Sequence, residues 1–250
     1  MGERSIYFYI LLLLLGLGVL QGLLAGIVFL LRRRGGRIAN VCYGLLLTTF
    51  SLTLLHNIFV LLDWDAYLSW PLYFTLSFPA LLFYYVKFNL YPRYRFRLTD
   101  SKHFVLPIGQ FVFFMYVFSN PVIAEGGLQR HFYNPFYGAM EQLLYLSTFF
   151  FYLYSARKYI QFKSSHYRKE EELRVVSYMK MLVYTFSLLF VVHTIFVITD
   201  FISYEFFQVN LRSLKLFAGL GAFSFAALIF WLGIYGTQVL IWGKQAFEQE

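Results

Sequence analysis

The sequence predicts an all-α, polytopic membrane protein, a bundle of seven transmembrane helices forming one domain over residues 1–250. Three observations predict it. First, seven long apolar runs recur between short polar breaks: Ile6–Leu31, Ile38–Leu62, Trp70–Leu90, Phe104–Val122, Phe136–Ala156, Val176–Thr199 and Leu214–Tyr235. A hydrocarbon core of ~30 Å takes ~20 helical residues at ~1.5 Å each. Second, 59% of the residues are hydrophobic and 14% are charged, whereas a soluble domain carries about 25% charged residues. Third, the basic residues gather on alternate loops. The runs are continuous in polarity, which argues for helices over the alternating, ~10-residue strands of a membrane barrel.

Span one is too long for the apolar core of a signal peptide. Its basic cluster follows it, and no small-residue cleavage site precedes a polar start, so it is expected to remain as a helix. Gly18, Gly22 and Gly26 form a stripe along it, allowing close approach of another helix. Span two carries Cys42, the lone cysteine, which excludes internal disulfides. Pro79 and Pro107 lie inside spans three and four and are expected to kink or open them; Pro71, Pro92, Pro121 and Pro135 fall at span ends, where a missing N–H costs little. After span five, Arg157–Arg174 reads as a helical extension, a turn at Ser164 and Ser165, and a lead into span six, with Glu170 and Arg174 spaced to pair. Span seven repeats the small-residue pattern at Ala218, Ala222 and Ala226, so spans one and seven are expected to pack together; homodimerisation through the stripe is the other reading. Thr237–Glu250 reads as a short amphipathic tail.

The net charge of +8 would suggest nucleic acid in a soluble chain. Position explains it better. Arg32, Arg33, Arg34 and Arg37 follow span one; Arg93, Arg95, Arg97 and Lys102 follow span three. Arg157, Lys158, Lys163, Arg168, Lys169 and Arg174 follow span five, and Lys244 lies beyond span seven. The opposite side holds Arg4, Arg130, Arg212 and Lys215. The bias puts the N-terminus outside and the C-terminus in the cytoplasm, as an odd span count requires. The basic loops then meet anionic headgroups of the lipid bilayer. The outer loops Asp63–Ser69, Ile123–Pro135 and Asp200–Ser213 are too short for a binding domain.

Ionisable groups within spans are costly and mark candidate sites. His56 in span two, Glu141 in span five and His193 in span six each lie six residues from an outer boundary, ~9 Å deep. Asn57 and Gln142 adjoin two of them, and Tyr145 lies one turn below Glu141. Two readings stay open: a ligand-binding pocket opening outward, made of these six residues, or hydrogen bonds that fix helix packing. Two imidazoles and a carboxylate would suit a metal, but no metal or other cofactor is expected. Nor is catalysis. No lysine lies deep in the last span for retinal, that span has no histidine pair for zinc, and no hydrolase or phosphate-loop motif occurs.

One stretch carries a resemblance. Phe78-Pro79-Ala80-Leu81-Leu82-Phe83-Tyr84-Tyr85-Val86-Lys87 closes span three, and Asp100-Ser101-Lys102-His103-Phe104-Val105-Leu106-Pro107 opens span four. This resembles the multi-span N-terminal sensor region of bacterial membrane-bound AraC-type transcriptional regulators. The resemblance implies a multi-pass protein of the bacterial cytoplasmic (inner) membrane, with short loops and a cytoplasmic C-terminus that leads, in that family, to a DNA-binding domain. These residues contain no helix-turn-helix, so nucleic-acid binding is not expected of them. The expected function is a non-catalytic sensor in signal transduction that acts through another membrane or cytoplasmic protein. The alternatives are an accessory subunit of a larger complex and a small transporter.

Overall fold

The computed structural model describes the backbone of residues 6–32, 37–64, 70–91, 93–119, 135–166, 170–209, 211 and 214–247. The side chains described exclude those of 117, 118, 135–142, 170–172, 204, 205, 215, 216, 218, 225 and 236–247. Among these residues every regular element is helical. The order is α1 (Ile6–Leu31), α2 (Arg37–Leu62), α3 (Ser77–Leu90), a 3-10 helix (Leu98–Phe104), α4 (Val105–Ser119), α5 (Pro135–His166), α6 (Glu170–Phe207) and α7 (Lys215–Phe247). Among the described residues three helical stretches are long and apolar enough to cross a membrane: Ile6–Leu31, Arg37–Leu62 and Leu173–Ser203.

The third apolar run departs from its expected form. Trp70–Leu90 is not one helix; residues 70–76 are irregular and the helix begins at Ser77. At 14 residues α3 is only ~21 Å long. Buried irregular backbone must find side-chain partners when no water reaches it. Here the Phe74 N–H donates to Thr53 Oγ1 (3.1 Å), the Leu76 N–H to Gln110 Oε1 (3.0 Å) and the Ser77 N–H to the Phe74 carbonyl (3.0 Å). Pro79 therefore does not kink a helix. It stands in the first turn of one, where its missing N–H leaves no donor stranded. Pro107 likewise falls in the first turn of α4, directly after the 3-10 helix.

Helix α3 is the axis of the molecule. Every residue from Ser77 to Leu90 except Asn89 is buried, and α2, α5 and α6 pack around it. Aromatic rings make these contacts: Phe78 stacks on Phe50 of α2 (3.9 Å between centroids), and Tyr85 meets Tyr43 of α2 at 4.6 Å. The Tyr43 hydroxyl donates to the Leu232 carbonyl of α7 at 2.8 Å, so the inner layer closes α2 between α3 and α7.

The outer layer is α1, set against α2 and α7. A Cβ on Gly18 would lie 3.4 Å from the Ala226 Cβ of α7 and 3.3 Å from Leu54 of α2. One on Gly22 would collide with Ser51 Oγ of α2 and lie 2.6 Å from Ile229 of α7. One on Gly26 would meet Thr48 of α2 at 2.5 Å. The glycine stripe thus faces the groove between α2 and α7 rather than α7 alone. Ala222 and Ala226 are buried there, and the Ala218 side chain lies outside the described residues. Gln21 adds a polar tie, its Nε2 donating to the Phe230 carbonyl at 3.3 Å.

Other boundaries shift outward. α5 stays helical through Ser164 and Ser165 to His166, and α6 runs past Thr199 to Phe207. The expected Glu170–Arg174 pair lies outside the described side chains. Much of the apolar surface stays open, including Leu13, Leu20 and Leu24 on α1 and Tyr184, Leu188 and Ile195 on α6. Apolar surface this extensive suits a lipid solvent rather than water.

Replacing Gly22 with Ala should lower stability by about 1–3 kcal/mol, because Ser51 and Ile229 must move. Gly16→Ala, with open space at its Cβ, should be neutral or stabilising. Melting of both variants in detergent checks this; equal melting temperatures would place the stripe outside the packed groove.

Candidate functional site

Of the six residues expected to form an outward pocket, the side chains of His56, Asn57, Tyr145 and His193 are described. Tyr145 of α5 and His193 of α6 come together, ring centroids 5.0 Å apart and edge to face. They line a small cleft with Phe50, Phe149, Phe186, Phe190 and Ser224. Its walls are mostly aromatic; Phe149 and Phe190 stack at 4.9 Å, nearly parallel. The Ser224 hydroxyl is engaged by its own helix, donating to the Gly221 carbonyl at 2.7 Å.

His56 is set against Tyr73, in the irregular segment before α3, at 5.5 Å between centroids; Tyr73 in turn meets Phe114 of α4 at 5.7 Å. His56 Nδ1 is buried with no hydrogen-bond partner among the described residues. Asn57 is half-buried beside it. The side chains of Glu141 and Gln142 lie outside the described residues. Among the described residues no group of three His, Cys, Asp or Glu side chains could hold a metal.

The densest polar constellation lies elsewhere, at the C-terminal end of α3. Lys87 Nζ lies 3.5 Å from Asp100 Oδ1, both side chains about one-tenth exposed. The chain between them leaves α3 at Tyr91, turns so that the Tyr94 N–H donates to the Tyr91 carbonyl at 2.9 Å, and re-enters at the 3-10 helix. Asp100 sits in the first turn of that helix, where a carboxylate is favoured by unpaired N–H groups. Its Oδ2 accepts the Tyr94 hydroxyl at 2.6 Å and the Arg97 N–H at 2.8 Å, while its carbonyl accepts the Tyr84 hydroxyl at 3.2 Å. Lys87 also lies over the Tyr94 ring, 3.8 Å from its centroid, adding a cation–π contact. Burial pushes the Asp100 carboxyl up, but the Tyr94 and Arg97 hydrogen bonds and the Lys87 charge outweigh it and hold it down at about 2.

His103 extends the constellation to α5. Its Nδ1 is hydrogen-bonded to the Tyr152 hydroxyl at 2.8 Å, and its ring contacts Phe83 and Tyr84 of α3. Burial, then the neighbouring Lys102 charge, lowers its proton affinity below the ordinary 6.5. A neutral imidazole suits a site that already holds Lys87. This end therefore joins α3, the 3-10 helix and α5 through charge, hydroxyl and ring contacts. At the other end of α3, Gln110 of α4 does the same work, donating from Nε2 to Thr75 Oγ1 (3.0 Å) while accepting the Leu76 N–H.

Sequence reasoning did not assign this pair a role. The signals were there: Lys87 is the lone charged residue of the run Trp70–Leu90, and Asp100 the lone acid in a basic loop. Both belong to the two halves of the motif that carries the family resemblance, and the fold joins those halves. Comparison with protein-family models, curated proteins and solved structures finds no match to this chain.

Breaking the pair should be costly. Lys87→Met leaves a buried carboxylate without its cation and should destabilise by roughly 3 kcal/mol. Lys87→Met with Asp100→Asn should cost less than the sum of the two single changes; strict additivity in melting experiments would show that the two groups do not interact.

Acid should act in two stages. His103, with its folded value below 6.5, penalises the folded state once the unfolded chain can protonate, so stability falls as pH drops below about 6.5. Asp100, held at about 2 against an ordinary 3.8, contributes stability that is full above the ordinary value and is lost as pH falls towards 2. His103→Gln should remove the first stage and leave the second. A melting-temperature profile of that variant matching the parent between pH 7 and pH 5 would rule His103 out.

Proposed function

We propose that this chain is a non-catalytic, seven-helix sensor or transducer of a bacterial cytoplasmic membrane, with its N-terminus outside. It acts through a partner protein. One observation carries the reading. The central helix α3 is enclosed along its length and tied by polar contacts to α4 at one end and to the 3-10 helix and α5 at the other. A displacement at the outer tie is passed along a rigid helix to the inner one, because packed aromatic cores shift between discrete arrangements rather than deform smoothly. The cleft with Tyr145 and His193 then supplies the ligand end, and the constellation of Lys87, Asp100 and His103 the cytoplasmic end.

The transporter alternative fits less well. In the inner half Tyr43, Tyr84 and Leu90 are fully buried around α3, and such packing leaves little room for a polar path. The accessory-subunit reading has one observation in its favour. Helix α4 presents Val105, Ile108, Val112 and Tyr116 as open apolar surface and touches the bundle chiefly through Gln110 and Phe114, which suits a partner helix as well as lipid.

Topology and function can be tested together. Cysteines placed at Ser69 and Glu125 should react with an impermeant thiol reagent from outside intact cells, and those at Gly35 and Ser164 should not; the reverse pattern would overturn the orientation. Gln110→Leu cuts the outer tie and should alter crosslinking between a cytoplasmic-end probe at Ser164 and a co-purifying partner. An unchanged crosslink at unchanged stability would refute transmission through α3.

A further inference from the structure

We propose that the segment joining α3 to α4, residues 93–102, is a binding element for anionic phospholipid headgroups. The proposal rests on the reading of the chain as an integral membrane protein. The segment emerges from the Lys87–Asp100 constellation and carries Arg93, Arg95, Arg97 and Lys102, all exposed. Among the described residues none of the four pairs with a carboxylate; Asp100, the acid beside them, is turned inward onto Lys87. Exposed cations with no carboxylate beside them among the described residues are open to an anionic partner from outside the chain.

Two further features identify that partner as a lipid surface. Leu98 is 92% exposed and Phe96 44%, interleaved with the arginines over a short stretch that runs into the 3-10 helix. Apolar side chains between cations match the boundary of a leaflet, where phosphates lie just above acyl chains. A soluble phosphate would satisfy the arginines but leave Leu98 in water. The neighbouring end of α5 continues the pattern. Lys163 sits over the Tyr91 ring at 4.2 Å, and Phe162 beside it is 57% exposed.

The same anchoring reaches the core. The Arg97 N–H holds the Asp100 carboxylate, and that carboxylate holds Lys87 of the central helix. Pulling the segment onto an anionic leaflet therefore acts on the inner tie of α3, through backbone that side-chain substitution of Arg97 leaves intact.

The test uses the full chain, Cys42→Ala, with Thr99→Cys carrying an environment-sensitive fluorophore, purified in neutral detergent and titrated with phosphatidylglycerol or phosphatidylcholine. Phosphatidylglycerol should give a saturable blue shift that phosphatidylcholine and inorganic phosphate do not. Arg95→Gln with Arg97→Gln should weaken the apparent affinity about 30-fold, at roughly fivefold per charge near the surface. Leu98→Gln should reduce the shift. A control pair on α5, Arg157→Gln with Lys158→Gln, should change the affinity much less. Equal responses to both lipids, an equal loss in the control pair, or saturation by inorganic phosphate would each overturn the proposal. Reconstitution into vesicles followed by alkaline extraction separates the two readings: a chain that is extracted was never integral, whereas one that stays and shows no lipid preference refutes the lipid element alone.

Discussion

A backbone that is buried and not helical must have every polar group met by the protein itself, and the architecture follows from that demand around α3. An isolated N–H or carbonyl in an apolar interior costs several kcal/mol. In residues 74–76 it is met by Thr53, which takes the Phe74 N–H, and by Gln110, which takes the Leu76 N–H; in the more exposed turn at 97–100 the Asp100 carboxylate takes the Arg97 N–H. Because those partners come from α2, α4 and the 3-10 helix, satisfying the two ends of α3 also fixes where its neighbours stand.

The buried pair is part of that scheme rather than a simple source of stability. A desolvated ion pair returns little net energy, since each charge gives up its hydration. Its value is positional. Asp100 is already committed to Tyr94 and the Arg97 N–H, so Lys87 has one geometry in which its charge is compensated, and α3 is held in register with the loop. The rings of Phe83, Tyr84 and Tyr94 lie against the Lys87 ammonium, and a low local dielectric strengthens each contact.

Glycine does the equivalent task for α1. Gly22 and Gly26 let the α1 backbone approach Ser51 and Thr48 so closely that a methyl group has no place. Both hydroxyls turn back onto their own helix, Ser51 to the Leu47 carbonyl and Thr48 to the Gly44 carbonyl, so the contact is made by shape rather than by interhelical hydrogen bonds. In lipid, where apolar burial gives little driving force between helices, such close packing is what holds them together.

Helix content and the apolar character of the long segments were determined by the sequence alone, because both are local: a helix satisfies its own backbone, and a run of Leu, Ile and Phe needs no particular neighbour in lipid. The glycine stripe was legible for the same reason, as a spacing on one helix, although only packing showed that it meets α2 as well as α7. The tertiary structure alone decided which polar groups meet. Gln110 reaches back 35 residues to Thr75, and His103 forward 49 to Tyr152. Matching depth put His56 and His193 in one expected cluster, but depth does not specify which ring each side chain meets, and the fold sets His56 on Tyr73 and His193 on Tyr145. The start of α3 was hidden too, since Trp70–Leu76 is as apolar as a helix, and only distant side chains could make its irregular path affordable.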